Sequence, residues 1–432
     1  MKLSKLSLAC LVAAGGLSLS PVAMSEENTQ GFEFHGYFRA GALYSSNDDF
    51  KRSKFPATKE KLGRLGIESD NHFELALQKN FDTADGQSIR IKSRLGADNA
   101  QSGGKNQLST SADAANGSVG LVETFVEFDG ITETGTVWGG KRFYGKDNYI
   151  FMTDFFYTDM SGTGVGVEGI ELGGNKWDFA YVASDDAEGG FWGQDTNNPM
   201  HSVHVGVNFG SLELHAMGKY LPDNFVDVDG TMTQFADTGA ELTAIYHSDS
   251  VFGLSEKGFT KYIAQAGQGL GSGQLLGGTL TTYNAWKPGY GGAMGPSNMK
   301  KIDSGDKSAR ALIWGGYFFE SGVSIFHAIQ GQYNDLEKRG KDSWASAMIR
   351  PTFPLAKNWA LATEAGYQYG DYSDEAGNGG SGYDYKLTVA PTLSINTGFG
   401  PAPEIRFLAT YLDGSARDKA DLLVGIQADM WW

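Results

Sequence analysis

Cysteine is all but missing. Cys10 is the only one in 432 residues, and nothing after it can form a disulfide. Long apolar runs are missing too. Beyond the first 25 residues no stretch of about 18 apolar residues occurs, so no membrane-crossing helix is expected. Helical periodicity is scarce throughout. Basic charge is in deficit, with 35 Lys and Arg against 51 Asp and Glu and a net charge of −16. Such a chain offers no basic face for phosphates, which argues against nucleic acid as a partner. Candidate metal and catalytic sets are absent as well. The 7 histidines are scattered, and His201 and His204 stand three apart at a loop–strand junction with no third ligand nearby. No Ser/His/acid constellation can be placed, so no catalytic residue, metal or cofactor is expected. The run "GVGVEG" at 164–169 satisfies GxGxxG, but no helix pattern follows and no βαβ unit surrounds it, so it reads as strand glycine.

What is present begins with "MKLSKLSLACLVAAGGLSLSPVAMSEEN". Lys2 and Lys5 precede an apolar core from Leu6 to Leu17, and Ala23-Met24-Ser25 is a small-x-small cleavage signal. This reads as a secretory signal peptide over residues 1–25, cut before Glu26, with a core too short to span a membrane. Removing Lys2 and Lys5 leaves 33 basic against 51 acidic residues, −18, over residues 26–432. Sixty glycines and 12% aromatic residues fit many short strands joined by turns. No proline-rich linker or composition break divides 26–432, which reads as one domain.

Two-residue alternation runs through that domain. Leu422, Val424, Ile426, Ala428, Met430 and Trp432 share one strand face, opposite Leu423, Gly425, Gln427, Asp429 and Trp431. Near the start, Phe32, Phe34, Phe38 and Ala40 oppose Glu33, His35, Tyr37 and Arg39. Ile89, Ile91 and Leu95 oppose Arg90, Lys92 and Arg94, a basic ladder that an oily core would not tolerate. A soluble sandwich and a lipid-facing barrel both alternate. The leader, the aromatic last strand and the rings at strand ends favour the barrel, apolar outward and polar inward. About 18 strands fill this length, and counting alone does not separate 18 from 16. Polar inserts at 97–118, 184–201, 266–310 and 370–383 read as surface loops.

One segment breaks the alternation. "KRFYGKDNYIFMTDFFYTDMSG", 141–162, crowds aromatic rings and charges together with no clean period. It and several other blocks, "FHGYFRAG" at 34–41, "WGGKRFY" at 138–144, "MTDFFYTDMSGTGVG" at 152–166, "KGFTKY" at 257–262 and the closing "MWW", resemble the maltoporin family of outer-membrane sugar porins. The matches lie in the same order over nearly the whole of 26–432. The resemblance implies an all-β fold: a homotrimer of 18-stranded antiparallel transmembrane β-barrels, each narrowed by an inward-folded constriction loop at the irregular segment. It implies passive passage of carbohydrate across the outer membrane in contact with its lipid. A lumenal aromatic slide of Tyr37, Phe259 and Trp431 would meet sugar rings, and a polar track of Arg39, Arg64 and Glu74 would meet hydroxyls. In the constriction, Lys146, Asp147 and Asp154 would stand beside Phe156, which replaces a family tyrosine; Asn148 competes with Asp147 for its match. Other departures are His72 and Leu355, where the family carries slide aromatics. A general diffusion pore without sugar preference is the nearest alternative. A barrel enzyme or surface receptor is a third.

Overall fold

The computed structural model describes residues 31–53, 56–68, 71–98, 119–145, 147–184, 199–228, 230–278, 302–374, 376–395 and 403–432. The expected leader, most of the inserts at 97–118 and 184–201, and Lys146 lie outside these residues. Among the described residues, eighteen antiparallel strands close into a barrel, from Phe32–Ser45 to Asp421–Trp431. Closure joins the two ends of the wall: Tyr37 is opposite Trp431 and Ser45 opposite Leu423, while the other side of the first strand pairs with His72–Asp82. This seam satisfies the backbone groups that an open sheet would leave facing lipid.

Burial settles which face points where. Phe32 is 64% exposed, Phe34 52% and Val203 57%, whereas Arg39, His204, Gln330 and Thr388 are buried. Apolar side chains outside and polar ones inside reverse the pattern of a soluble sandwich, as a lipid-facing wall requires. Trp432 lies on the outer face against Phe34 (5.8 Å) and Phe38 (6.5 Å). Glycine 166 of "GVGVEG" lies within the strand Gly162–Leu172, under the indole of Trp138, where a Cβ would not fit.

The polar-inside rule fails on one side of the barrel, for a physical reason. Ile245, Ile263, Leu312, Trp314, Phe326, Trp344 and Met348 point inward yet are buried, because the segment 143–161 folds into the lumen and covers them. Its own rings supply the other half of that contact: Phe151 meets Phe326 edge-on at 4.4 Å, and Phe155 and Tyr157 are fully buried. Inside the segment, Tyr149–Ile150 pairs with Phe155–Phe156 as a miniature hairpin.

A second segment, 56–68, also folds inward, around the single helical turn Lys59–Leu62. Leu62, Leu65 and Ile67 bury against Ala362, Ala390, Leu408, Leu412 and Leu423. Its backbone is bonded directly to the wall. Glu364 accepts from the Leu65 amide at 3.0 Å, Thr388 donates to the Leu65 carbonyl at 3.0 Å, and the Lys386 ammonium donates to the same carbonyl. The insert at 266–310, expected as a surface loop, departs from that reading in its described part. The wall strand runs on to Gly269, Leu270, Leu275 and Ile302 are buried together, and Lys219 reaches the carbonyls of Leu275 and Gly278 at 2.5 Å. The stretch 370–383 is mostly strand, since Trp359–Ser373 and Gly379–Ser394 extend through it and pair.

Gly63 and Gly66 hold φ at +88° and +74°, and a Cβ on either would strike the wall, at Glu364 and at Thr410. Replacing Gly66 with Ala should cost about 1–3 kcal/mol from backbone strain alone. The thermal midpoint of the detergent-solubilised barrel should fall while its β-sheet circular dichroism at 25 °C stays unchanged; an unaltered midpoint would contradict this account of the docked segment.

Candidate functional site

The two inward segments meet at a cluster of charges beside the first strand. Glu68 is at its centre, 1% exposed, with Lys59 at 2.7 Å, Arg64 at 2.8 Å and Arg39 at 3.3 Å. Lys59 also bonds Asp154 of the other segment at 2.8 Å, so one ammonium holds both together. The Arg64 amide donates to the Met152 carbonyl at 2.7 Å, a second tie between them. Tyr37 completes the cluster. Its hydroxyl accepts from Arg39 at 2.9 Å and Arg64 at 3.0 Å, and Asp429 lies 3.6 Å from Arg64.

Burying carboxylates raises the energy of their charged form, but here the cations outweigh that penalty. Against burial, Arg39, Arg64 and Lys59 hold Glu68 well below the usual carboxylate range. Lys59, Arg64 and Arg39 do the same for Asp154, which adopts a left-handed φ of +55°. Lys61, on the same helical turn, lies over the Trp344 ring at 4.7 Å, and burial brings its ammonium down to about 7.

The other candidate residues are spread over several places. Trp431 is directly opposite Tyr37 on the neighbouring strand and on the same inner face; His72, on the strand at the other side of Tyr37, has its ring 5.8 Å from that of Tyr37. Glu74 belongs to a separate ladder, sharing Arg94 (2.5 Å) with Glu123. Phe259 is on the far wall, edge-on to Trp314 at 5.2 Å, and is not contiguous with Tyr37 and Trp431. In the inward segment, Asp147 is exposed and Phe156 is partly exposed, stacked on Tyr149 at 5.1 Å. Phe156 is the ring the segment leaves uncovered in that hairpin, since Tyr149 and Phe155 are buried. Leu355 is exposed at the end of its strand, and Trp359 stacks on Phe407 on the outer face.

Docking of the inward segments buries most inner rows between residues 238 and 429, while Glu74, Gln78, Arg90, Lys92, Arg94, Glu127 and Arg142 stay partly exposed. The basic ladder of the sequence is matched there: Arg90 bonds Glu127 and Asp129 at 2.8 Å each, and Arg142 bonds Glu168 at 2.5 Å. Lys59, Glu68 and Asp429 were not singled out from the sequence. The signal was available for the first two, because "TKEKLGRLGIES" breaks strand alternation just as 141–162 does.

Both Glu68 and Asp154 titrate lower folded than unfolded. Their stabilisation is therefore present above about pH 5 and is lost only as pH falls through their depressed folded values. Lys59→Met should remove about 1.5–3 kcal/mol of charge-assisted bonding. The variant should show a lower thermal midpoint and a larger, noisier single-channel current than the wild type at pH 7. Equal midpoints and currents would show that the shared ammonium does not hold the segments.

Comparison with known proteins agrees with this geometry. Maltoporin of Vibrio cholerae is 27% identical over 428 residues, covering 93% of this chain and 94% of the relative. Maltoporin of Hahella chejuensis is 25% identical, covering 94% of each. The crystal structure of Acinetobacter baumannii OccAB4 superposes with a TM-score of 0.51 over 94% of this chain and 100% of its own, at 10% identity, a likeness of fold alone. The model of the family described as LamB porin matches residues 32–432. The chain therefore belongs to the LamB porin family, and it is a barrel of the outer-membrane diffusion-channel type.

Proposed function

We propose that the channel is selective for sugars and carries them by passive diffusion. The observation that carries this reading is the lumenal junction itself. An aromatic ring, Tyr37, is bonded to two arginines on the inner wall, beside the lumen-parity Trp431 and across from the charged, ring-bearing segment with Asp154 and Phe156. A pyranose has apolar ring faces and a rim of hydroxyls. Stacking removes apolar area at roughly 25 cal/mol per Å², and the charged groups exchange hydrogen bonds with the rim. Each contact must be weak, since a channel releases what it binds.

In this reading Tyr37, Trp431 and Phe259 are ring contacts, and Arg39, Arg64 and Glu74 are hydroxyl contacts. Lys146, Asp147, Asp154 and Phe156 shape the narrow part of the path. The mature chain is residues 26–432, a single barrel exported by its leader and assembled as a homotrimer in the outer membrane. Its role is transport rather than catalysis. The excess of acidic residues favours cations. A general diffusion pore is the second reading, and a specific observation favours it: at Leu355 an exposed aliphatic stands where the family has an aromatic.

Liposome swelling with a graded sugar series separates these readings. Rates that depend on stereochemistry at equal size support selectivity, and rates that follow size alone support the diffusion pore. Trp431→Ala and Tyr37→Ala should weaken sugar block of ion current by about 5- to 30-fold, the loss of roughly 1–2 kcal/mol of stacking, with ion conductance little changed. Phe156→Tyr should alter the ranking of sugars. Unchanged block in both alanine variants would overturn the slide.

A further inference from the structure

The inward segment 143–161 leaves the wall at Tyr144, and that root is attached to a chain of imidazoles that sugar passage does not explain. Tyr144 is 2% exposed, packed with Trp138, Met160 and Met217. Its hydroxyl is 2.8 Å from Nδ1 of His204, itself 2% exposed. Nε2 of His204 is 3.1 Å from Nδ1 of His215, with the two rings 24° apart. Nε2 of His215 is 3.6 Å from Glu213, whose other oxygen is 3.0 Å from Nε2 of His247. Three adjacent strands supply these groups: Met200–Asn208, Leu212–Tyr220 and Thr238–Ser248.

We infer that this Tyr144–His204–His215–Glu213–His247 chain is a proton-sensitive latch that holds the root of the inward segment at neutral pH and releases it in acid. With one proton per ring the chain is consistent from Tyr144 to His215. Tyr144 donates to His204 and Nε2–H of His204 donates to His215, while Nε2 of His215 and of His247 are near Glu213 without hydrogen-bond geometry. One added proton on the His204–His215 pair reverses that order. His204 must then donate to the Tyr144 oxygen, and the hydroxyl proton turns into a pocket walled by Trp138, Met160 and Met217, losing its acceptor. A second proton sets two N–H groups face to face. Each step weakens the root, and imidazole is the side chain that titrates in the mildly acid range.

Taking a charge onto a ring as buried as His204 is costly, so added protons favour the lifted segment over the docked one. Space above Gly206 is shared by His204, His215 and a carboxylate oxygen of Asp178, each 3.1–3.2 Å from where a Cβ would lie. Glu213 is the second carboxylate. On the Tyr144 side stands Arg142, 5.5 Å from that ring, and it is bonded to Glu168. The junction of Lys59, Glu68 and Asp154 is not the acid-sensitive element, because its carboxyls keep their charge to lower pH.

This inference rests on the docked segment and not on sugar selectivity, and its test reads docking directly. Since residues 26–432 contain no cysteine, Phe155→Cys places one thiol under the segment, at a position fully buried against the wall. Its reaction with dithiodipyridine, normalised to the same protein unfolded in urea at each pH, measures how often the segment lifts. Protection should fall about tenfold or more between pH 7.5 and pH 5, the imidazole range. With His204→Gln and His215→Gln added, that pH dependence should vanish. Tyr144→Phe, which keeps the ring and loses only the hydroxyl, should give low protection at every pH. Protection that is independent of pH in the parent, or that falls equally with and without the histidines, would overturn the latch.

Discussion

Backbone at membrane depth must find its hydrogen bonds within the protein, and every feature of this chain follows from that requirement. The wall meets it by closing, Tyr37 to Trp431, so that no strand edge faces lipid. Segments that leave the wall meet it differently. The segment 56–68 gives its Leu65 amide to Glu364 and its Leu65 carbonyl to Lys386 and Thr388, while 143–161 gives the Met152 carbonyl to Arg64 and Arg350. The buried side chains of Glu364, Lys386, Thr388 and Arg350 act as fixed receptors for irregular backbone. Buried lysine and glutamate at Lys386 and Glu364 would be costly in isolation, but each is saturated by the other and by the peptide groups it receives.

The barrel was legible wherever one face meets lipid and the other water. Residues 422–432 and 32–42 show the alternation without interruption, and the structure orients both as their parity requires. Legibility ended where inner residues meet protein instead of water. Trp314, Phe326 and Trp344 occupy inward positions with apolar side chains, so parity in their strands carries no contrast. The docking partners of such rows are sequence-distant and leave no period. The irregular run at 141–162 declared itself by breaking the pattern, but its composition did not say which rings would be used where. Phe151, Phe155 and Tyr157 are buried as anchors, and Phe156 is left partly exposed. The charge cluster was half legible. Arg39 and Arg64 carried family weight, while Lys59 and Glu68 had only the broken alternation of 56–68 to mark them.

Aromatic residues accordingly do two unlike jobs in the lumen. Those that pack on the wall fix the position of irregular backbone, and those that stay partly exposed are available to a solute. Tyr37 does something of both, since its hydroxyl is committed to Arg39 and Arg64 while its ring neighbours His72. That division explains why ring density in the sequence overstates the number of rings a passing molecule could touch.

The one-sided docking has a mechanical corollary. A solute in this lumen travels between two surfaces of unequal stiffness. On one flank is the sheet itself, a ladder-bonded rail whose Arg90, Arg94 and Arg142 are clamped by carboxylates. On the other is a cushion of loop backbone, held by packed rings and separate polar contacts rather than by a continuous ladder. A bulky molecule would be accommodated by displacement of the cushion alone, keeping its register against the rail, so that tolerance for girth and discrimination of pattern reside on opposite sides of the same passage.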